Sequence, residues 1–309
     1  MKLASEFSAK FANMGFLCAC LVVMMHIHSP WEGGGLCAIA VPFFFLASGY
    51  FLAGHVDEAG WYGRETRKRV KTLLVPLVIW CALWALYAVP IAVILNLRAG
   101  RETFANVPSV FRLTALDPCH QPALGALWYL RCLLAFVLIS PFLVWTIRKV
   151  GVVLPIACAV VLFVFPFQSF ANDFWTFGFS ISGIFYFSTG LFLRMKSVRL
   201  HIAPIWGVLA LALGLALYFL VDRMVSLPFL IVGVWGLTPR KRLPKVLTEN
   251  AFPIYLMHMF VLLLFGTKMW TSLALAILVG CAAILMTLGL VVITRKLSPR
   301  FSRIAFGGR

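Results

Sequence analysis

Acidic side chains are scarce in this chain. There are 10 Asp and Glu against 27 Lys and Arg, and charged residues make up only 12% of its 309 residues. A soluble domain carries roughly a quarter charged residues, so an ordinary water-soluble globule is excluded. No acid falls inside a long apolar run, which argues against a carboxylate proton relay of the kind ion-coupled transporters use. The 8 cysteines include no Cys-x-x-Cys pair, so neither a zinc site nor a disulfide framework is indicated. Most sit within apolar runs, where a thiol behaves as a small hydrophobe. Also missing are the Gly-x-Ser-x-Gly elbow, the Gly-x-x-x-x-Gly-Lys phosphate loop and His-Glu-x-x-His. Soluble-type hydrolase, nucleotide-hydrolase and zinc-protease readings fall with them. Serine- or glycine-rich linkers, low-complexity segments and internal repeats are absent too, and residues 1–309 read as a single domain.

What fills the chain is hydrocarbon. Hydrophobic residues make up 62% of it, which fits apolar surface facing lipid as well as neighbouring helices. The formal net charge of +17 does not indicate nucleic acid, because the basic residues form short clusters between apolar runs and no continuous face. Runs long enough to cross a bilayer lie near 11–29, 37–55, 73–96, 124–147, 151–169, 175–194, 201–221, 223–238, 251–267 and 270–294. The eighth is short, holds Pro228 and follows the seventh almost without a loop, so the two form a hairpin or a re-entrant pair. Lys2 and Lys10 precede the first run, but no small-residue cleavage site follows it, so it reads as a retained span.

Orientation follows from the positive charges. With the N-terminus in the cytoplasm, the inner segments hold Arg64 to Lys71, Arg148 and Lys149, Arg194 to Arg199, Arg240 to Lys245, and Arg295 to Arg309. The outer segments hold only scattered cations such as Arg98 and Arg223. This alternation predicts an all-α, polytopic integral membrane protein with about ten transmembrane helices and both termini cytoplasmic. The longest non-apolar stretch, about 97–123 with Asp117-Pro-Cys-His120 near its end, is an outer loop that either carries function or rests on the membrane surface.

Few residues at membrane depth can do chemistry. His26 and His28 lie toward the outer end of the first span, about 200° apart on a helix, so they do not act from one face. A histidine there is a proton acceptor near neutral pH, or a structural group bonded to a neighbouring helix. Arg131 is the one full charge inside a span, and it either snorkels outward or faces a polar cavity. His258 lines the same cavity as His26 if the first and ninth spans are neighbours. The cluster Arg64-Glu-Thr-Arg67-Lys68-Arg69 is an orientation signal touching lipid headgroups, or a phosphate-binding patch.

Six short motifs occur in order: Val22-Val-Met-Met-His26, Pro42-Phe-Phe-Phe-Leu-Ala-Ser48-Gly49-Tyr50, the basic run leading to Pro76, Leu127-Trp-Tyr-Leu-Arg131, Gly190-Leu-Phe-Leu-Arg194 and Phe252-Pro-Ile-Tyr-Leu-Met-His258. Together they resemble the membrane acyltransferase 3 family over essentially the whole chain. The resemblance implies transfer of an acyl group, commonly acetyl, from acyl-coenzyme A to a hydroxyl of a surface glycan or glycolipid. It implies His26 as catalytic base and Arg67, Lys68 and Arg69 near the coenzyme A phosphates. It leaves Ser48, Tyr50, Arg131 and His258 to polarise the thioester carbonyl or position the acceptor, with no metal involved. One departure stands out. The family pattern carries a basic residue eleven positions before the histidine, about 16 Å along one helix face, and here that position is Gly15. Lys10 and the basic patch are the cations left to replace it. A bacterial inner membrane is the expected location. The rival expectation is a transporter or flippase for a lipid-linked sugar, using the same residues without covalent chemistry.

Overall fold

The computed structural model describes residues 2–27, 37–99, 102, 127–164, 181–198, 201–265 and 272–308. All regular secondary structure among them is helical. In chain order the helices are α1 (Lys2–Met25), α2 (Ala40–Ala53), α3 (Trp61–Arg69), α4 (Val75–Arg98), α5 (Trp128–Val150), α6 (Val153–Val164) and α7 (Ile181–Met195). They continue as α8 (Pro204–Leu220), α9 (Arg223–Leu237), α10 (Lys245–Thr248), α11 (Ala251–Leu264), α12 (Leu273–Leu297) and α13 (Pro299–Ala305). Among the described residues, four stretches are long and apolar enough to cross a membrane unaided, and α2, α8, α9 and α11 are shorter apolar helices. Large apolar side chains such as Leu86, Trp145, Phe219 and Leu285 lie exposed on the outer faces, as lipid contact requires. The expected His28 and most of the 97–123 loop, His120 included, fall outside the described residues.

One boundary differs from expectation in a way that matters. Hydropathy starts the third span at residue 73, after a basic turn. Instead α3, a π-helical turn at Val70–Leu74 and α4 form one continuous 38-residue rod. At 1.5 Å per residue the rod is about 57 Å long, nearly twice a hydrocarbon core. The basic cluster therefore rides on a helix that projects beyond the apolar stretch. Gly60, at φ 68°, supplies the left-handed residue that starts the rod. Pro76 has no amide to offer the Thr72 carbonyl, which favours the wider π-turn there. Gly307 of the C-terminal tail lies against that carbonyl, and Trp80 Nε1 donates to Ala305 O at 3.0 Å.

Glycines set two close helix contacts. Helices α2 and α7 run parallel: a Cβ on Gly49 would meet the Phe187 carbonyl, one on Gly190 the Leu46 carbonyl, and Gly54 faces Arg194. Helices α8 and α9 form an antiparallel hairpin in which Gly207 meets Gly236, Leu211 meets Gly233, and Gly214 meets Leu230. Small residues let membrane helices approach backbone to backbone, where dispersion forces replace the missing hydrophobic drive. Asp222 caps α9, accepting from Met224 N at 2.6 Å.

Helix α1 is the central post. It packs against α2, α9, α11 and α12. Buried Asn13 ties it to the segment before α10, donating to Pro239 O at 3.0 Å and Lys241 O at 2.9 Å and accepting from Leu243 N at 2.9 Å. The packing of α1 on α11 brings the first and ninth spans side by side, which is the condition for His26 and His258 to meet.

Candidate active site

A cavity of about 290 Å³ opens among α1, α2, the π-turn, α5 and α11. Its wall includes Gly15, Phe44, Ser48, Arg69, Leu73, Tyr129, Thr248 and Tyr255. The wall is mostly apolar with a few polar groups, the usual make-up of a small-molecule site. Among the described residues nothing stands within 4 Å of where a Gly15 Cβ would be, so the missing side chain enlarges the cavity.

Arg69 is the cation of this wall. The π-turn begins immediately after it and contributes Leu73 to the same wall. Its side chain is only 12% exposed, and its Nε lies 3.5 Å from Oε2 of buried Glu65. Lys68 pairs with the other Glu65 oxygen at 3.3 Å from an exposed position, and Arg67 is exposed. The carboxylate therefore gathers two of the three predicted cations, and only Arg69 reaches the cavity. Lys10 is engaged elsewhere, with Nζ 5.3 Å from the centre of the Trp235 ring. The Thr248 hydroxyl is buried at the wall with no hydrogen-bond partner among the described residues.

The remaining predicted residues divide. Ser48 lines the cavity, its Oγ 3.3 Å from the Tyr129 hydroxyl. Tyr50 is buried against Phe7 and Phe11, and its hydroxyl accepts from Arg194 Nη1 at 3.4 Å. It thus joins two of the sequence motifs rather than lining the wall. Arg131, two residues past Tyr129 on α5, is half-buried and also outside the wall.

His26 and His258 do come together. Residue 26 follows the last residue of α1, and its half-buried ring lies 5.1 Å, centre to centre, from that of His258. His258 is fully buried on α11. The pair does not line the cavity. Tyr255 stands between, with its ring 6.0 Å from His258 on one side and 5.5 Å from Tyr129 on the other. A run of rings, Tyr129, Tyr255, His258 and His26, thus leads from the cavity's inner end to the tip of α1. Tyr129 and Tyr255 were not singled out from the sequence. Each lies in a motif that was, Tyr255 three residues before His258 and therefore on the same helix face.

The arrangement offers a cation and hydroxyls toward one end and two imidazoles toward the other. Among the described residues no group of three His, Cys, Asp or Glu is placed to hold a metal ion. No curated protein and no solved structure matches the chain. Residues 14–296 match the model of the acyltransferase 3 family, described as an acyltransferase domain. The match spans all six motifs and the cavity wall except its N-terminal edge, and the chain accordingly belongs to that family of membrane acyltransferases.

Proposed function

We propose that this protein transfers an acyl group, acetyl in the first instance, from acyl-coenzyme A to a hydroxyl of a cell-surface glycan or glycolipid, within a bacterial inner membrane. The observation that carries the reading is one helix bundle holding both a buried cation at a cavity and a paired imidazole at membrane depth. Arg69 supplies charge-assisted hydrogen bonds to the donor's phosphates, with Arg67 and Lys68 adding an exposed positive field on the same helix. The Thr248 and Ser48 hydroxyls serve the polar arm that follows.

The chemistry needs one proton acceptor. The acceptor oxygen attacks the thioester carbonyl, a C–O bond forms, the C–S bond breaks, and the hydroxyl proton passes to neutral His26 and on to the departing thiolate. A positioned base of this kind typically contributes 10²–10⁴-fold to rate. The absence of acids from the apolar runs suits this role, since no carboxylate competes for the proton at that depth.

The test is His26→Ala in purified protein, followed by release of coenzyme A from acetyl-coenzyme A with acceptor present. Loss of at least about a hundredfold in kcat, with the donor KM kept, is expected from the size of general-base effects. Wild-type turnover in the variant refutes the assignment of His26. Movement of unmodified lipid-linked sugar by the wild type without release of coenzyme A refutes acyl transfer in favour of a flippase.

A further inference from the structure

His258 has its tautomer fixed by its own helix. Its Nδ1 lies 2.6 Å from the Tyr255 carbonyl oxygen, and a carbonyl only accepts, so Nδ1 carries the proton. In the neutral ring Nε2 is then a lone pair. That atom is buried and has no hydrogen-bond partner among the described residues, in a side chain that is 0% exposed. A buried acceptor left unpaired costs about 1–3 kcal/mol, and such a group in a native fold calls for an explanation. It is also adjacent to the imidazole assigned as base.

We infer that His258 Nε2 is the hydrogen-bond acceptor that holds the incoming hydroxyl compound beside His26. The inference rests on the acyl-transfer reading of the same site and narrows it. A lone pair cannot donate to a thioester oxygen or to the oxyanion that forms from it, so polarisation of the carbonyl falls to other groups. A lone pair does accept from a hydroxyl. The class of ligand it takes is an alcohol with hydroxyls to spare, one to react at His26 and a neighbouring one to bind Nε2, as a sugar ring provides. Burial makes the contact selective, because a site built to accept from an OH is left unsatisfied by an analogue that lacks it.

Two substitutions separate the atoms. An asparagine side chain in place of His258 would keep an N–H for the Tyr255 carbonyl and offer nothing at the Nε2 position, so H258N preserves the local bond while deleting the acceptor. A glutamine side chain reaches further and places an amide oxygen where Nε2 stood. With acetyl-coenzyme A as donor and methyl hexopyranosides as acceptors, H258N is expected to raise the acceptor KM about fivefold to tenfold, the value of one hydrogen bond. The donor KM is expected to stay as in the wild type, and H258Q to recover part of the acceptor KM. An unchanged acceptor KM in H258N, a raised donor KM, or an H258Q no better than H258N overturns the inference. Monodispersity and melting temperature of each variant identify a folding defect, and a misfolded H258N leaves H258Q to decide: with wild-type stability and a wild-type donor KM it must keep measurable acceptor turnover. A wild type that acylates none of the pyranosides removes the acyl-transfer reading, whereas a wild type that acylates them while H258N matches it removes only the role of His258.

Discussion

Arg69 gives the sharpest quantitative handle on the proposed donor site. The perturbation is Arg69→Gln, compared with Lys68→Gln and Arg67→Gln one and two positions away. Arg69 is 12% exposed at the cavity wall, so a phosphate bound there receives a hydrogen bond from a charged group shielded from water. Such bonds contribute about 1.5–3 kcal/mol, or roughly 10- to 150-fold in donor affinity. Arg67 is exposed and the Lys68 side chain is 57% exposed. An exposed charge contributes about 0–1 kcal/mol, no more than about fivefold. The assay is the initial rate of coenzyme A release against acetyl-coenzyme A concentration in detergent-purified protein. Arg69→Gln should raise the donor KM well beyond the effect of either neighbour, into the range worked out above. One complication is built into the structure. Glu65 is 7% exposed and keeps only the exposed Lys68 when Arg69 goes, and a buried carboxylate that loses a partner is destabilised. The double variant Glu65→Gln with Arg69→Gln removes that penalty and must keep the raised KM. Equal effects at Arg67 and Arg69, or a lowered kcat with an unchanged KM, would refute the placement of the phosphates on the cavity side of the rod.

Two glycines in the same bundle should respond oppositely to one methyl group. Gly15→Ala meets open space and removes a helix-interior glycine, so a gain of about 0.5–1 kcal/mol is expected in thermal unfolding. Gly190→Ala drives a methyl into the Leu46 carbonyl and the Tyr50 amide of α2 and should cost about 1–3 kcal/mol by overpacking. Matching melting temperatures for the two would contradict the parallel α2–α7 contact. Asn13→Ala deletes the side chain that bonds Pro239, Lys241 and Leu243. A loss of about 1–3 kcal/mol is expected, together with faster proteolysis in the 238–244 segment, and an unchanged cleavage rate there would show that the clip is not what holds it.

The apolar helices were legible because lipid imposes one rule on every span: about twenty residues without charge, with backbone bonds closed internally. The rod from Trp61 to Arg98 escaped in part for the same reason. Hydropathy reads Trp61 to Arg69 as a polar turn, yet Arg, Glu and Lys are good helix formers, and Glu65 pairs with Lys68 and Arg69 at i+3 and i+4. Charge hides a helix from a hydropathy argument while stabilising it. The α8–α9 hairpin was legible as one of two options, since almost no residues separate the seventh and eighth spans. Its glycine seam chooses between them only once the helices face each other.

The sequence could nominate residues for the candidate site, but not their arrangement. His26 and His258 drew attention because polar side chains at membrane depth are expensive, Arg69 because it lies in a basic cluster, and Ser48 because it lies in a motif of the family resemblance. That cost says nothing about neighbours. Residues 26 and 258 meet because α1 packs on α11, a contact between helices whose apolar faces all look alike to lipid, so no periodicity in either run announces it. The cavity is harder still, since one of its determinants is a missing side chain: Gly15 contributes volume. Tyr50 shows the opposite case. It lies two residues past Ser48 and therefore on another face of α2, where it meets Arg194 of α7 instead of the cavity. Sequence proximity grouped Ser48 with Tyr50, and helical geometry parted them. The partner that Ser48 does have, Tyr129, stands two residues before Arg131 and was passed over for the charge beside it. In a membrane bundle the neutral hydroxyls are the cheaper polar groups to place at depth, and here they, more than the charges, line the cavity.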